Sequence, residues 1–197
     1  MSEQVLQVYE SRFPDLVRVA SNLSKHIQSC LSGIPRIDRI SARAKAPERF
    51  AEKARKLLAE GRPKYIAPLL QIQDQIGARV IVFYKGDVEA VATELERYLR
   101  HVERQDLVPD SYWEFGYFGR HWIFALPDDV IPMDVERDVV PRFFELQVKT
   151  LFQHAWSEAN HDLGYKAPTE LTPDQQRLFA YTAAQAWGAD RVFNELR

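Results

Sequence analysis

Between Phe144 and Lys149 apolar and polar residues alternate strictly, Phe144, Leu146 and Val148 against Glu145, Gln147 and Lys149. This is the pattern of a half-buried strand with three polar groups on one face. The period then lengthens. From Thr150, a fair N-cap, Leu151, Ala155, Trp156, Ala159 and Leu163 recur at helical spacing, and His154, Glu158 and His161 share another face of that helix. Upstream, residues 3–31 read as helical, with Leu16, Val19, Ala20, Leu23, Ile27 and Leu31 as the apolar stripe and a break or restart at Pro14. Ile37 to Lys45 alternates as a strand, with Arg39, Ser41, Arg43 and Lys45 facing one way, and Pro47 opens a new helix. In that helix Phe50, Ala54, Leu57 and Leu58 are the expected buried stripe, Arg49, Lys53 and Lys56 lie on another face, and Gly61-Arg62-Pro63 is the stop.

A short helix through Leu69 to Gln73 leads to Asp74, and the continuous apolar run Val80 to Phe83 predicts a central strand covered on both faces. Asp87 to Arg100 is a predicted helix, with Val88, Val91, Ala92, Leu95 and Leu99 inward; His101 to Val108 and Trp122 to Leu126 are predicted strands. Residues 127–141 hold Pro127, Pro132, Pro141 and five acidic side chains, and read as a loop long enough for a mobile flap or an insertion. Thr172-Pro173-Asp174 starts a last helix to about Leu196, expected to face inward along Leu178, Tyr181, Ala184, Ala186, Phe193 and Leu196.

A chain of 197 residues fits one domain, divided here into N-terminal helices (1–33), a core (34–166) and a C-terminal helix (171–197). With 46% hydrophobic and 27% charged residues it is neither a disordered nor a membrane chain. No apolar run approaches the roughly 20 residues that span a bilayer, and the first residues lack a signal-peptide pattern, so a cytoplasmic location is expected. The lone Cys30 suits a small buried hydrophobe in a helix.

Charge changes the picture. Residues 34–64 carry ten basic side chains against four acidic ones in a chain of net charge −2, an excess that favours a phosphate-bearing ligand. A strand that delivers Arg43 and Lys45 beside a helix N-terminus, whose free N–H groups also favour anions, is a sensible phosphate cradle. It is no Walker loop, because no Gly-rich run ends in Gly-Lys-Ser/Thr. In Pro109 to Leu126, dense in aromatics, Gly116 and Gly119 let backbone approach a ligand and Tyr117 offers a ring for stacking on a base. Trp122 and Phe124 are assigned to the core by alternation. Taken singly, Asp74 is an ordinary turn or cap residue and the Glu145 face an ordinary wet strand face.

Taken in order, the motifs resemble the synthetase domain of the RelA/SpoT family in its small single-domain form. They are R-x-K and a basic helix (Arg43, Lys45, Lys53, Lys56), D-x-x-G-x-R (Asp74, Gly77, Arg79), and G-Y-x-x-x-H (Gly116, Tyr117, His121). The last is E-x-Q-V-K-T with its helix (Glu145, Gln147, Lys149, Thr150, His154, Trp156, His161, Tyr165, Lys166). The resemblance implies an α+β fold, a mixed five-stranded sheet flanked by helices and related to nucleotidyltransferases. It implies transfer of the β,γ-diphosphate of ATP to the 3′-hydroxyl of GDP or GTP. Asp74 and Glu145 are then the catalytic residues, holding Mg²⁺, with Glu145 sharing the metal or taking the hydroxyl proton. Arg43, Lys45, Lys53, Lys56 and Arg79 bind ATP, and Tyr117, His121, Gln147, Lys149 and His154 bind the acceptor.

The chain departs from the family pattern at Arg49 and Gly119, where Ser is common, and before Gly116, where Asp110, Tyr112, Trp113 and Glu114 replace a basic stretch. These departures motivate a runner-up, a toxic relative that modifies the tRNA 3′-CCA end or makes an adenosine alarmone under the control of an antitoxin partner. A homo-oligomer is a further expectation. A third reading is a nucleotide sensor with a dead site, which the intact Asp74 and Glu145 disfavour. A zinc site at His154, Glu158 and His161 lacks HExxH spacing, and His161-Asp162 lacks room for the other ligands of a metal hydrolase.

Overall fold

The structure, a computed structural model, describes residues 3–107, 115, 119–165 and 171–197. Six helices and five strands are seen among them, α1 (Glu3–Cys30), β1 (Ile37–Ala44), α2 (Pro47–Ala54), α3 (Pro68–Gln71), β2 (Ile76–Val82), α4 (Lys85–Leu95), β3 (His101–Leu107), β4 (Gly119–Ala125), β5 (Phe143–Thr150), α5 (Leu151–Asn160) and α6 (Pro173–Glu195). The strands form one mixed sheet in the order β1-β2-β5-β4-β3, with only β2 and β5 parallel. The five-stranded α+β architecture is therefore the one the sequence implied.

Alternation divides the sheet into two chemically distinct faces. Ile76, Ala78, Val80 and Val82 of β2, Phe144, Leu146 and Val148 of β5, and Trp122 and Phe124 of β4 are buried in one core with α1 and α4. On the opposite face the register lays polar residues in rows. One runs Arg43, Gly77, Glu145, Ile123; the next runs Ser41, Arg79, Gln147, His121.

Four expectations are corrected. Helix α1 runs unbroken through Pro14. Tyr9, Leu16 and Val19 are buried on either side of the proline, while Pro14 and Glu10 are exposed, so water can satisfy the carbonyl that the ring leaves unbonded. Helix α2 stops at Ala54, leaving Leu57 and Leu58 exposed rather than in its stripe, and Leu57 instead pairs with Pro63 in an isolated bridge. The 127–141 loop is no flap. Val130, Val135 and Val140 are buried in it, Asn22 Nδ2 donates to Val130 O at 3.0 Å, and Arg18 pairs with Asp134 at 2.7 Å.

The fourth concerns α6. Leu178, Tyr181, Phe193 and Leu196 are exposed, and the buried positions are Ala183 and Asp190. Polar latches hold this helix: Thr150 Oγ1 donates to Asp190 Oδ2 at 2.7 Å, Trp156 Nε1 donates to Phe179 O at 3.3 Å, and Gly86 N donates to Asn194 Oδ1 at 2.8 Å. Arg197 also pairs with the buried Asp87, which Arg36 grips bidentately at 3.0 and 3.1 Å. Among the described residues no helix is long and apolar enough to cross a membrane.

Candidate active site

The site grows from the junction of β1 and α2. Tyr9, stacked on Phe50 at 3.8 Å between centroids, donates its hydroxyl to Lys45 O at 2.7 Å, so α1 fixes the end of β1. Lys45 N in turn donates to Gln75 O at 2.8 Å, tying that end to the 3₁₀ turn Gln73–Gln75 that carries Asp74. Gln75, itself buried, donates through Nε2 to Leu69 O and Ile72 O, both at 2.9 Å, and locks the turn. Sequence reasoning missed Tyr9 and Gln75. Their partners are backbone atoms chosen by packing, and no periodicity signals that.

Asp74 Oδ2 receives Lys45 Nζ at 3.0 Å and Lys53 Nζ at 2.8 Å. Burial pushes Lys53 down, but the Asp74 carboxylate outweighs it and holds the ammonium above its ordinary range. The Tyr9 phenol is raised by burial and then by the same carboxylate. Asp74 Oδ1 is buried with no hydrogen-bond partner among the described residues.

Across the cleft Glu145 Oε1 accepts from Gln147 Nε2 at 2.6 Å and lies 3.5 Å from His121 Nδ1. Burial pushes this carboxyl up; the bond and charge of His121, then Gln147 and Lys53, more than reverse that and bring it to about 2. Ser41, Arg43, Lys45, Asp74, Gly77, Arg79, Glu145 and Gln147 line one cavity of about 180 Å³. Gly77 sits between Arg43 and Glu145 in register, and a Cβ built there meets nothing within 4 Å, so its missing side chain keeps the cavity floor open. Arg43 makes no side-chain hydrogen bond or ion pair with a described residue, which leaves it available to an anion.

Of the residues singled out from sequence, Arg43, Lys45, Asp74, Arg79, Glu145 and Gln147 thus meet in one cleft, and Lys53 and His121 reach its two carboxylates. Others stand apart. Lys56 is exposed beyond the end of α2. Lys149 is buried and donates to Ser157 Oγ at 3.1 Å; burial and then Arg79 bring its ammonium down to about 8. His154 lies 3.4 Å from Arg79 Nη1, and burial and then Arg79 lower it. Glu158 accepts from Arg79 at 2.7 Å, so the polar face of α5 engages a cleft arginine. Gly116, Tyr117 and Lys166 lie outside the described residues.

The donor set suits a hard cation. Mg²⁺ takes oxygen ligands, commonly one or two carboxylates completed by water and phosphate oxygens. Asp74 offers an orphaned buried oxygen, and Glu145 lines the same cavity. Among the described residues no group of three or more His, Cys, Asp and Glu could form a closed protein cage.

Comparison with known proteins identifies the family and the fold. The family described as "Region found in RelA / SpoT proteins" matches residues 42–170, and the chain belongs to that family. The fold is shared with a GTP pyrophosphokinase family protein from Streptococcus pneumoniae (20% identity, TM-score 0.77, covering 100% of this chain and 94% of that one). It is shared too with small alarmone synthetase 1 from Bacillus subtilis bound to its product pppGpp (22%, TM-score 0.69, 99% and 95%). More distantly, it resembles the complex of the Type VI effector Tas1 with its immunity protein (15%, TM-score 0.52, 94% and 97%). No curated protein sequence matches. This fold and family are consistent with an enzyme of the alarmone-synthetase class.

Proposed function

We propose that this protein is an ATP-dependent pyrophosphokinase that transfers the β,γ-diphosphate of ATP to the 3′-hydroxyl of GDP or GTP. The observation that carries the reading is the pairing of Asp74, with its unpartnered oxygen, and Glu145 in one cleft walled by Lys45, Arg43 and Arg79. Transfer of this kind asks chiefly for positioning and for positive charge around the moving group. Arg43, Lys45, Lys53 and Arg79 bind the donor phosphates. Both lysines are held at the cleft by Asp74, at 3.0 and 2.8 Å, which supports a donor-phosphate site there.

Asp74 and Glu145 would hold Mg²⁺, which would offset charge on the phosphate oxygens. The acceptor 3′-oxygen forms a bond to the β-phosphorus as the bond to the α-phosphate oxygen breaks and AMP leaves. Glu145, oriented by His121 and Gln147, would share the metal or receive the hydroxyl proton. Tyr117 stacks on the acceptor base, and Lys149 and His154 support the acceptor side through the Arg79 cluster.

A second reading, transfer to the tRNA 3′ end or to an adenosine nucleotide, is favoured by the acidic and aromatic stretch Asp110, Tyr112, Trp113 and Glu114. Pure protein incubated with Mg²⁺ and ATP labelled at the β-phosphate, offered GDP, GTP, an adenosine nucleotide or deacylated tRNA, separates the two. Label on GDP or GTP is expected. Label only on tRNA or on the adenosine nucleotide overturns the first reading, and binding without transfer to any acceptor overturns both.

A further inference from the structure

Where β5 begins, at the end of the sheet, a cavity of about 1040 Å³ opens between Arg12 of α1, the Ile72–Gln75 segment, Tyr98 to Arg100 after α4, and the approach to β5. Its size is that of a small-molecule site, roughly 300–1,000 Å³. Arg12, Arg100 and Arg142 line it, and their side chains make no hydrogen bond or ion pair with any described residue. Arg137 on the same wall is committed to Asp128 at 3.1 Å and to the carbonyls of Val140 and Pro141, so Asp138 is the carboxylate that opposes the three open arginines.

The backbone spaces two of these cations. Ala125 N donates to Arg100 O and Leu126 N to Arg142 O, both at 2.9 Å, so Arg100 and Arg142 flank the end of β4 from opposite sides. Strand spacing puts their Cα atoms about 10 Å apart, a separation across which two guanidinium forks can grip neighbouring phosphates. Tyr98, 60% exposed at the same cavity, offers a flat ring to a base.

We propose that this cavity is a second ligand site, taking a phosphate-bearing nucleotide and separate from the donor and acceptor cleft. Its wall includes Gln73 and Gln75, either side of Asp74, and Phe143, two residues before Glu145. An occupant bears on the backbone that carries both carboxylates and is therefore placed to tune transfer without entering the cleft.

The test is binding, so it does not depend on which reaction the cleft performs. Calorimetric titration of inorganic pyrophosphate into the Lys45→Met/Lys53→Met protein, whose cleft lacks its two lysines, should show one remaining site. Adding Arg100→Ala/Arg142→Ala should weaken that site at least tenfold with an unchanged circular dichroism spectrum. Arg100→Lys/Arg142→Lys, which keeps charge but loses the fork, should weaken it several-fold and guards against misfolding of the alanine pair. Tyr98→Ala should weaken ADP threefold or more and leave pyrophosphate within twofold. No pyrophosphate binding to the Lys45→Met/Lys53→Met protein, or binding that the alanine pair leaves within twofold, overturns the site; ADP affinity unmoved by Tyr98→Ala overturns its preference for a nucleotide.

Discussion

Asp74 and Glu145 are held in opposite ways. Asp74 presents one oxygen to two lysines and leaves the other bare, whereas Glu145 is bracketed by His121 and Gln147. Replacing the Glu145 carboxylate by an amide removes the charge while preserving shape. Glu145→Gln is therefore expected to lower transfer at least about a hundredfold and to leave ATP affinity, measured by calorimetry, within several-fold; surviving transfer would remove Glu145 from the mechanism. Gly77 is the complementary case, a residue important for what it lacks. Valine suits a strand and meets open space at this position, so Gly77→Val should melt within a few degrees of the parent while transfer falls tenfold or more. Loss of both together would mean that the glycine serves the sheet rather than the cleft.

At the scale of elements, the junction of β5, α5 and α6 carries the most consequence. Thr150 caps α5 in a reciprocal capping box with Gln153 and also donates to Asp190, so one hydroxyl ends a strand, starts a helix and latches α6. Asp190 is buried with Oδ1 unpartnered, and burial raises it to about 6 against the Thr150 bond that lowers it. Folding therefore takes up a proton at this residue. The stability contributed by the neutral form is complete below the ordinary value of 3.8 and is lost as pH rises through about 6. Asp190→Asn keeps an acceptor for Thr150 and removes the charge. It should raise the melting temperature by about 3–6 °C at pH 8, for roughly 1–2 kcal/mol, and by progressively less as pH falls below 6. A gain that does not vary with pH would rule out the buried charge as its cause.

For the whole molecule, the sheet separates two jobs, one face packed on α1 and α4 and the other lined with polar rows. The core is apolar and includes neither Asp74 nor Glu145, so chelation by EDTA should abolish transfer, with Mg²⁺ restoring it. The melting temperature without nucleotide should move by no more than about 2 °C, as weak binding allows; a large drop would point to a structural ion. Alternation determined which residues of β1 and β5 share the polar face, because side chains alternate across a strand whatever packs against it. The motif spacing likewise determined the family and brought Arg43, Asp74, Arg79 and Glu145 into one expectation. Local pattern misjudged α6, whose apolar residues at helical spacing are mostly exposed, and Pro14, which the helix tolerates. Only the tertiary structure decided those, along with the service of Tyr9 and Gln75 to the cleft and the open arginines behind it. Periodicity records what a segment could bury, whereas burial and pairing depend on partners tens of residues away, and those are chosen by the register of the sheet and the packing of helices on it.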